Sequence, residues 1–232
     1  MRFTELAAQP ISYNNDLNPK IWQNDSVRPE VRSALLQVAK DFKEFIDVPI
    51  EVQDVIIAGA QANYTYTDYS DLDLHLVVDY ASVNCDQEAA ELFDSKRLLF
   101  KRDHNVSIRG IPVEPGVEDA GSPTVSAAYS ILHNQWVREP QKNPPKYNPK
   151  ELNRLVDLWT SVITYAVKSR DLQAMTLMLK LLRKYRKLGL ATAQAEYNIA
   201  NLVYKSLRNS GDVQRLQTAI NQIRDQQLSI GE

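Results

Sequence analysis

The chain of 232 residues has a single cysteine, Cys85, so no internal disulfide can form. That suits a reducing, intracellular setting, and Cys85 sits in a polar stretch that suggests no partner for it. Glycine is scarce, at seven residues, and neither a Walker loop nor a dinucleotide-binding loop is present. Zinc-type Cys/His spacing and a serine nucleophile elbow are also missing. No apolar run approaches the roughly 20 residues needed to span a bilayer. The opening Met1-Arg2-Phe3-Thr4-Glu5-Leu6 lacks the apolar stretch of a secretory signal. These absences set aside disulfide scaffolds, zinc modules, P-loop enzymes and serine hydrolases, and a cytoplasmic protein is the expectation.

What is there is an ordinary hydrophobic fraction, 44%, enough to bury a sizeable core. The formal net charge is only −2, but it is unevenly spread. Most of the acidic excess lies before about residue 145, and the chain from Lys146 onward is basic. Such asymmetry marks either a polyanion-binding half or two modules with complementary faces.

Along the chain, residues 1–27 read as an irregular lead-in with Pro10, Pro19 and Asn14-Asn15. Val31, Leu35, Val38, Phe42 and Phe45 recur at helical spacing, with Asp25 or Ser26 as a cap and Pro29 in the first turn. A strand from Val52 to Ala58 comes next, then a polar connector, then a strand from Ser70 to Asp79. Residues 86–102 form a second amphipathic helix. Val106 to Glu114 reads as two short strands around Arg109-Gly110, and Pro115-Gly116 interrupts the second of them. Val125 to Val137 reads as a helix carrying Tyr129, Leu132 and Trp136. Pro140, Pro144, Pro145 and Pro149 make a stiff linker, which places the domain boundary at 140/141.

Beyond it four amphipathic stretches imply an antiparallel bundle. Leu152, Leu155, Val156, Trp159, Ile163 and Val167 mark the first, and Leu172, Met175, Met178, Leu179, Leu182 and Tyr185 the second. Ala195, Ile199, Leu202, Val203 and Leu207 mark the third, closed by Asn209-Ser210-Gly211, and Val213, Leu216, Ile220 and Ile223 the last.

The chemistry-bearing pattern is Ala58-Gly59-Ala60-Gln61 and, some ten residues on, Ser70-Asp71-Leu72-Asp73-Leu74-His75. Strand side chains alternate between faces, so Asp71 and Asp73 project on one side while Leu72, Leu74 and Leu76 enter the core. Two adjacent carboxylates repel unless a cation joins them. Hard oxygen donors of this kind suit Mg²⁺ or Mn²⁺ beside phosphates. Such a pair also occurs as a solvated strand start.

This arrangement resembles the nucleotidyltransferases of the DNA polymerase β superfamily. Their signature is a glycine turn after one strand, Asp-x-Asp on the next and a third acidic residue on a later one. Gly59 matches the turn, Asp71 and Asp73 the paired ligands, and Glu114 the third carboxylate, with Glu118 and Asp119 as competitors. Ala60 departs from the family's serine or glycine. Further stretches look like nucleotidyltransferase-like proteins of tailed bacteriophages: Leu17 to Trp22, Arg28 to Arg32, Tyr129 to Leu132 with Trp136, Glu196-Tyr197-Asn198, and Asn201 to Arg208.

The resemblance implies an α+β fold: a small mixed β-sheet nucleotidyltransferase core with flanking helices over residues 1–140, then a helical bundle over 141–232. It implies transfer of a nucleoside monophosphate from an NTP to an acceptor hydroxyl, with Mg²⁺ or Mn²⁺ held by Asp71, Asp73 and Glu114. The acceptor is left open among RNA, protein and a small molecule. Gly59, Ala60 and Ser70 would line the nucleotide, and Lys96 and Arg97, from the basic group that includes Lys101 and Arg102, would meet its phosphates. The other reading of those cations is a solvated helix face. Ser70 bonds either the turn or a phosphate, and His75 either orients a carboxylate or meets the acceptor, or else is bonded within the sheet edge. Lys180, Arg183, Lys184 and Lys187 form a basic stripe that either tracks nucleic acid or is solvated. A different class of reading is a decayed enzyme fold serving as a virion-associated or host-factor-binding protein.

Overall fold

The computed structural model describes residues 14–83, 86–121, 126–142, 147–192 and 197–229; Pro10, Cys85, Val125, Pro144, Pro145, Lys146, Ala195 and Glu196 lie outside them. The chain is α+β and divides into two compact units, one within Ser12–Lys142 and the other containing Asn143–Glu232.

In the first unit, α1 (Pro29–Ile46) buries Val31, Leu35, Val38, Ala39, Phe42 and Ile46. Pro29 opens it as expected, but Asp25 and Ser26 do not cap it: the N-cap is Arg28, without a side-chain cap bond. Instead Asn24 and Asp25, at φ 50° and 60°, turn a hairpin between β1 (Trp22–Gln23) and β2 (Ser26–Val27). Positive φ at both central residues is what such a two-residue turn requires. The lead-in is therefore part of the core, with Leu17, Ile21, Trp22 and Val27 buried.

The main sheet has six strands in the order β5-β6-β4-β3-β7-β8. They are β3 (Val52–Ala58), β4 (Leu72–Val78), β5 (Ser107–Ile108), β6 (Ile111–Asp119), β7 (Ala128–Ser130) and β8 (Gln135–Arg138). β3 pairs antiparallel with β4 and β7, and β4 runs parallel to β6. On β4, Leu72, Leu74, Leu76 and Val78 are buried while Asp73, His75 and Val77 alternate on the more open face. α1 packs against β4 and β6, and α2 (Asp86–Asp103) packs against β6 and α1.

Two further expectations from the sequence are corrected by the structure. The apolar spacing of Val125 to Val137 predicts a helix, yet its described residues form the β7–β8 hairpin. Tyr129 and Trp136 sit at helical spacing, but both pack on Trp22, with ring centroids 5.1 and 4.8 Å away. Asn134, at φ 54°, reverses the chain, and Arg32 binds the turn through the carbonyls of Ile131 (2.6 Å) and Leu132 (2.9 Å).

Second, Pro115-Gly116 does not interrupt the strand: β6 runs through to Asp119. The Val113 N–H points outward to Val106 O at 2.9 Å. Two residues on, the Pro115 nitrogen faces the same outer side, beyond the end of β5, where a missing N–H costs no ladder bond.

The second unit contains α3 (Pro149–Ser169), α4 (Leu172–Leu190), α5 (Ile199–Asn209) and α6 (Asp212–Leu228). All four pack on one another around Leu152, Val156, Ile163, Met175, Leu182, Leu202 and Leu216. The side chains of Asn148, Asp171 and Asn198 cap the first three by accepting backbone N–H bonds. Gly211, at φ 83°, makes the sharp entry to α6. Among the described residues no helix is long and apolar enough to cross a membrane.

Candidate active site on the open face of the sheet

Strand register builds the site. Asp73 lies opposite Ala58 on one side and opposite Glu114 on the other. In a parallel pair, residues in register project to the same face, so the β6 carboxylate stands beside the β4 carboxylate on the open side. Asp71, one residue ahead of β4, comes within hydrogen-bonding reach of the Glu114 carboxyl. The structure thus places Asp71 and Asp73 each beside Glu114.

Gly59 comes directly after β3, at φ 72°. A Cβ there would collide with the Asp73 carboxylate. Glycine is therefore required twice, by its backbone angle and by the carboxylate that occupies the space of a side chain. Ala60 is next, in a 3-10 turn (Gly59–Ala62), and accepts the Asn63 N–H at 3.1 Å. The Ser70 hydroxyl accepts the Thr67 N–H at 2.9 Å, so it serves the turn.

The cations of α2 divide. Arg97 Nη1 lies 2.5 Å from Glu114 Oε1, and Lys101 Nζ lies 3.0 Å from Glu114 Oε2. Lys96 turns away: its Nζ is 3.4 Å from Phe45 O and lies over the Phe45 ring. Arg102 pairs with Asp103 in solvent. Of the two α2 cations expected at the phosphates, the structure places Arg97 at the carboxylates, joined by Lys101, and leaves Lys96 out.

Burial pushes the Glu114 carboxyl upward. Lys101, by hydrogen bond and charge, then Arg97 and the bond with Asp71, outweigh it and hold the group below the ordinary glutamate range. One step along the same strands, His75 Nδ1 and Glu118 Oε2 are 2.8 Å apart. Gly116 opens space there, since a Cβ would lie 3.2 Å from His75 Cδ2. The observed partner of His75 is thus a carboxylate on the neighbouring strand, which fits both a bond within the sheet and the orienting of a carboxylate.

Sequence reasoning missed what shapes the loop. Gln61, 1% exposed, donates to Ser70 O at 2.9 Å and accepts from Asn18 Nδ2 at 2.9 Å. Its carbonyl accepts the Trp22 indole N–H at 2.7 Å. The only available signal was its position two residues after Gly59.

Among the described residues no three His, Cys, Asp or Glu side chains form a ready-made metal cluster. The donor chemistry nonetheless fits a hard cation: the acidic groups supply anionic oxygens only, and the close approach of Gly59 fixes one of them. Both Glu114 oxygens are engaged, one by Arg97 and the other by Lys101. Comparison with protein-family models, curated proteins and solved structures finds no match for this chain.

Proposed function

We propose that the first unit is a metal-dependent nucleotidyltransferase that moves a nucleoside monophosphate from a nucleoside triphosphate onto an acceptor hydroxyl, with pyrophosphate leaving. The observation that carries this reading is the β4–β6 register, which sets Glu114 beside Asp73, with Asp71 within reach of Glu114.

Asp71 and Asp73 would hold Mg²⁺ or Mn²⁺, with Glu114 as a further ligand. The ion would neutralise phosphate charge and make the acceptor hydroxyl more acidic. The chain's own contribution is positioning. Gly59 keeps the turn free of a side chain where phosphates approach. Arg97 and Lys101 hold Glu114 by charge-assisted hydrogen bonds. A triphosphate offers these cations a more highly charged partner; their transfer to it would release the Glu114 oxygens. Ala60 supplies no hydroxyl, so phosphate contacts at the turn come from backbone N–H groups.

The test combines metal and nucleotide. Asp71→Asn with Asp73→Asn should lower Mn²⁺ affinity at least about 100-fold, roughly 3 kcal/mol by the usual conversion, without unfolding the chain. Wild type incubated with labelled triphosphates and host lysate should label an acceptor that the double variant leaves unlabelled. Unchanged Mn²⁺ titration in the double variant would show the site to be misassigned.

A second reading rests on the engagement of both Glu114 oxygens. Arg97 and Lys101 already neutralise the third carboxylate, as expected of a decayed site retained for a virion or host-factor contact. Under that reading wild type takes up no Mn²⁺ even with triphosphate present.

A further inference from the structure

The second unit carries an apolar surface that its own core does not use. On α3, Leu158, Val162 and Tyr165 recur at four- and three-residue spacing; on α4, Leu177, Leu181 and Leu188 share one face. All six are 37% to 75% exposed. The joint Arg170-Asp171 turns α4 back along α3, and Trp159 meets Tyr185 across the pair at 5.9 Å between centroids. Leu158 and Val162 flank Trp159 on its outer side, and Leu181 and Leu188 flank Tyr185. By helical spacing both rows fall on the outer side of this contact, so they border one furrow along the α3–α4 seam. The α4 row from Leu177 to Leu188 gives it a length of about 17 Å.

The charges beside the furrow are mostly of one sign. Lys184 stands in the Leu181–Leu188 row and Lys180 beside it, while Arg154 and Lys168 lie one turn beyond each end of the α3 row. All four are exposed. Among the described residues none of the four is in a salt bridge. Glu151 contributes the opposite sign near Tyr185. Residues 143–232 as a whole carry 14 Lys and Arg against 7 Asp and Glu.

We infer that the α3–α4 furrow is a docking groove for an amphipathic helix with acidic flanks on a partner protein. Two apolar rows along antiparallel helices make the receptor half of a helix-in-groove contact, read by the partner at i, i+4 and i+7. The basic rim selects acidic flanks by charge complementarity. A second copy docked face to face would bring the same lysines against each other, since a two-fold interface pairs a patch with itself. A nucleic-acid backbone would gain nothing from the leucines that occupy the centre.

The experiment pans the immobilised full chain against displayed helical peptides of ~16 residues, about 24 Å long. Leu181→Glu and Lys180→Glu/Lys184→Glu serve as comparison proteins, each checked for unchanged helicity. The expected peptides have an apolar row and net negative charge, and bind either variant at least tenfold more weakly than wild type. Selected peptides that are basic, that lack an apolar row or that bind Leu181→Glu equally well would overturn the inference. So would an assembly of the chain in sedimentation that Leu181→Glu dissolves. Leu181-dependent binding of phosphatidylglycerol vesicles or a single-stranded oligonucleotide, with no acidic peptide selected, would overturn it in favour of a membrane or nucleic acid.

Discussion

Among the described residues the buried polar side chains up to 142 are Asn18, Gln61, Asn63, Thr65, Ser70 and Ser130, and from 147 on they are Asn201, Ser206 and Asp212. Four of the first group lie in the loop between β3 and β4, and Asn18 binds Gln61 across 43 residues of sequence. Those of the second group lie on α5 and at the start of α6: Ser206 returns to Leu202 O in its own helix, Asn201 accepts from Arg186, and Asp212 joins Ser210, Arg215 and, 52 residues away, Thr160. Burying a polar group is costly unless it is bonded. A loop that buries four therefore has its shape specified by many bonds at once. The bundle is specified by apolar periodicity and leaves leucines over on its surface. One unit concentrates its specificity in a turn beside three carboxylates, the other in a helix face.

The largest effect expected from breaking this contrast is at Gly59. Gly59 and Gly211 share a left-handed backbone, but a Cβ at Gly59 meets the Asp73 carboxylate, whereas at Gly211 nothing lies within 4 Å. Gly59→Ala should cost about 3 kcal/mol, from backbone strain plus displacement of Asp73, against about 1 kcal/mol for Gly211→Ala. Urea unfolding of the full chain measures both, and Mn²⁺ titration should change in Gly59→Ala alone. Equal costs would mean that the turn gives way around the added methyl group.

Next in size is Gln61→Leu, which keeps the bulk but strands Asn18 Nδ2 and the Ser70 carbonyl. A loss of about 2 kcal/mol is expected, together with greater protease sensitivity of the 59–71 loop. A loss below about 0.5 kcal/mol would show that water replaces the amide.

Most of the fold was legible because its elements have clean periods. α1, β3, β4 and the helices α3 to α6 can be read from apolar spacing, and the sharp entry to α6 from Gly211. The β7–β8 hairpin was hidden because Tyr129, Leu132 and Trp136 fit a helical stripe equally well. Its strand identity depends on β3 and Trp22, which lie far away in sequence. The continuation of β6 through Pro115 was hidden for a related reason: whether a proline breaks a strand depends on which side its nitrogen faces. At the site, Gly59, Asp71, Asp73 and Glu114 could be named from pattern and resemblance. The division between Arg97 and Lys96, adjacent on one helix, could not, because the packing of α2 decides which cation reaches β6. Gln61 carries no pattern at all; only the tertiary contacts with Asn18 and Trp22 give it a role.

The smallest expected effect lies at Leu181. Its neighbours on α4, Leu179 and Leu182, are buried in the bundle core, whereas Leu181 is 47% exposed. Truncating a leucine in a packed core typically costs 2–5 kcal/mol, because the lost contacts are compounded by a cavity. At Leu181 the side chain already faces water and its removal leaves no cavity, so Leu181→Ala should stay within about 0.5 kcal/mol of wild type. Alanine's higher helix propensity pushes the balance slightly toward stability. Thermal unfolding of the full chain measures this directly. A drop of 2 kcal/mol or more would mean that Leu181 is covered within the free protein, which would close the α3–α4 furrow to a partner. A near-zero change would leave a leucine held in place by nothing in the fold, which is what a docking residue requires.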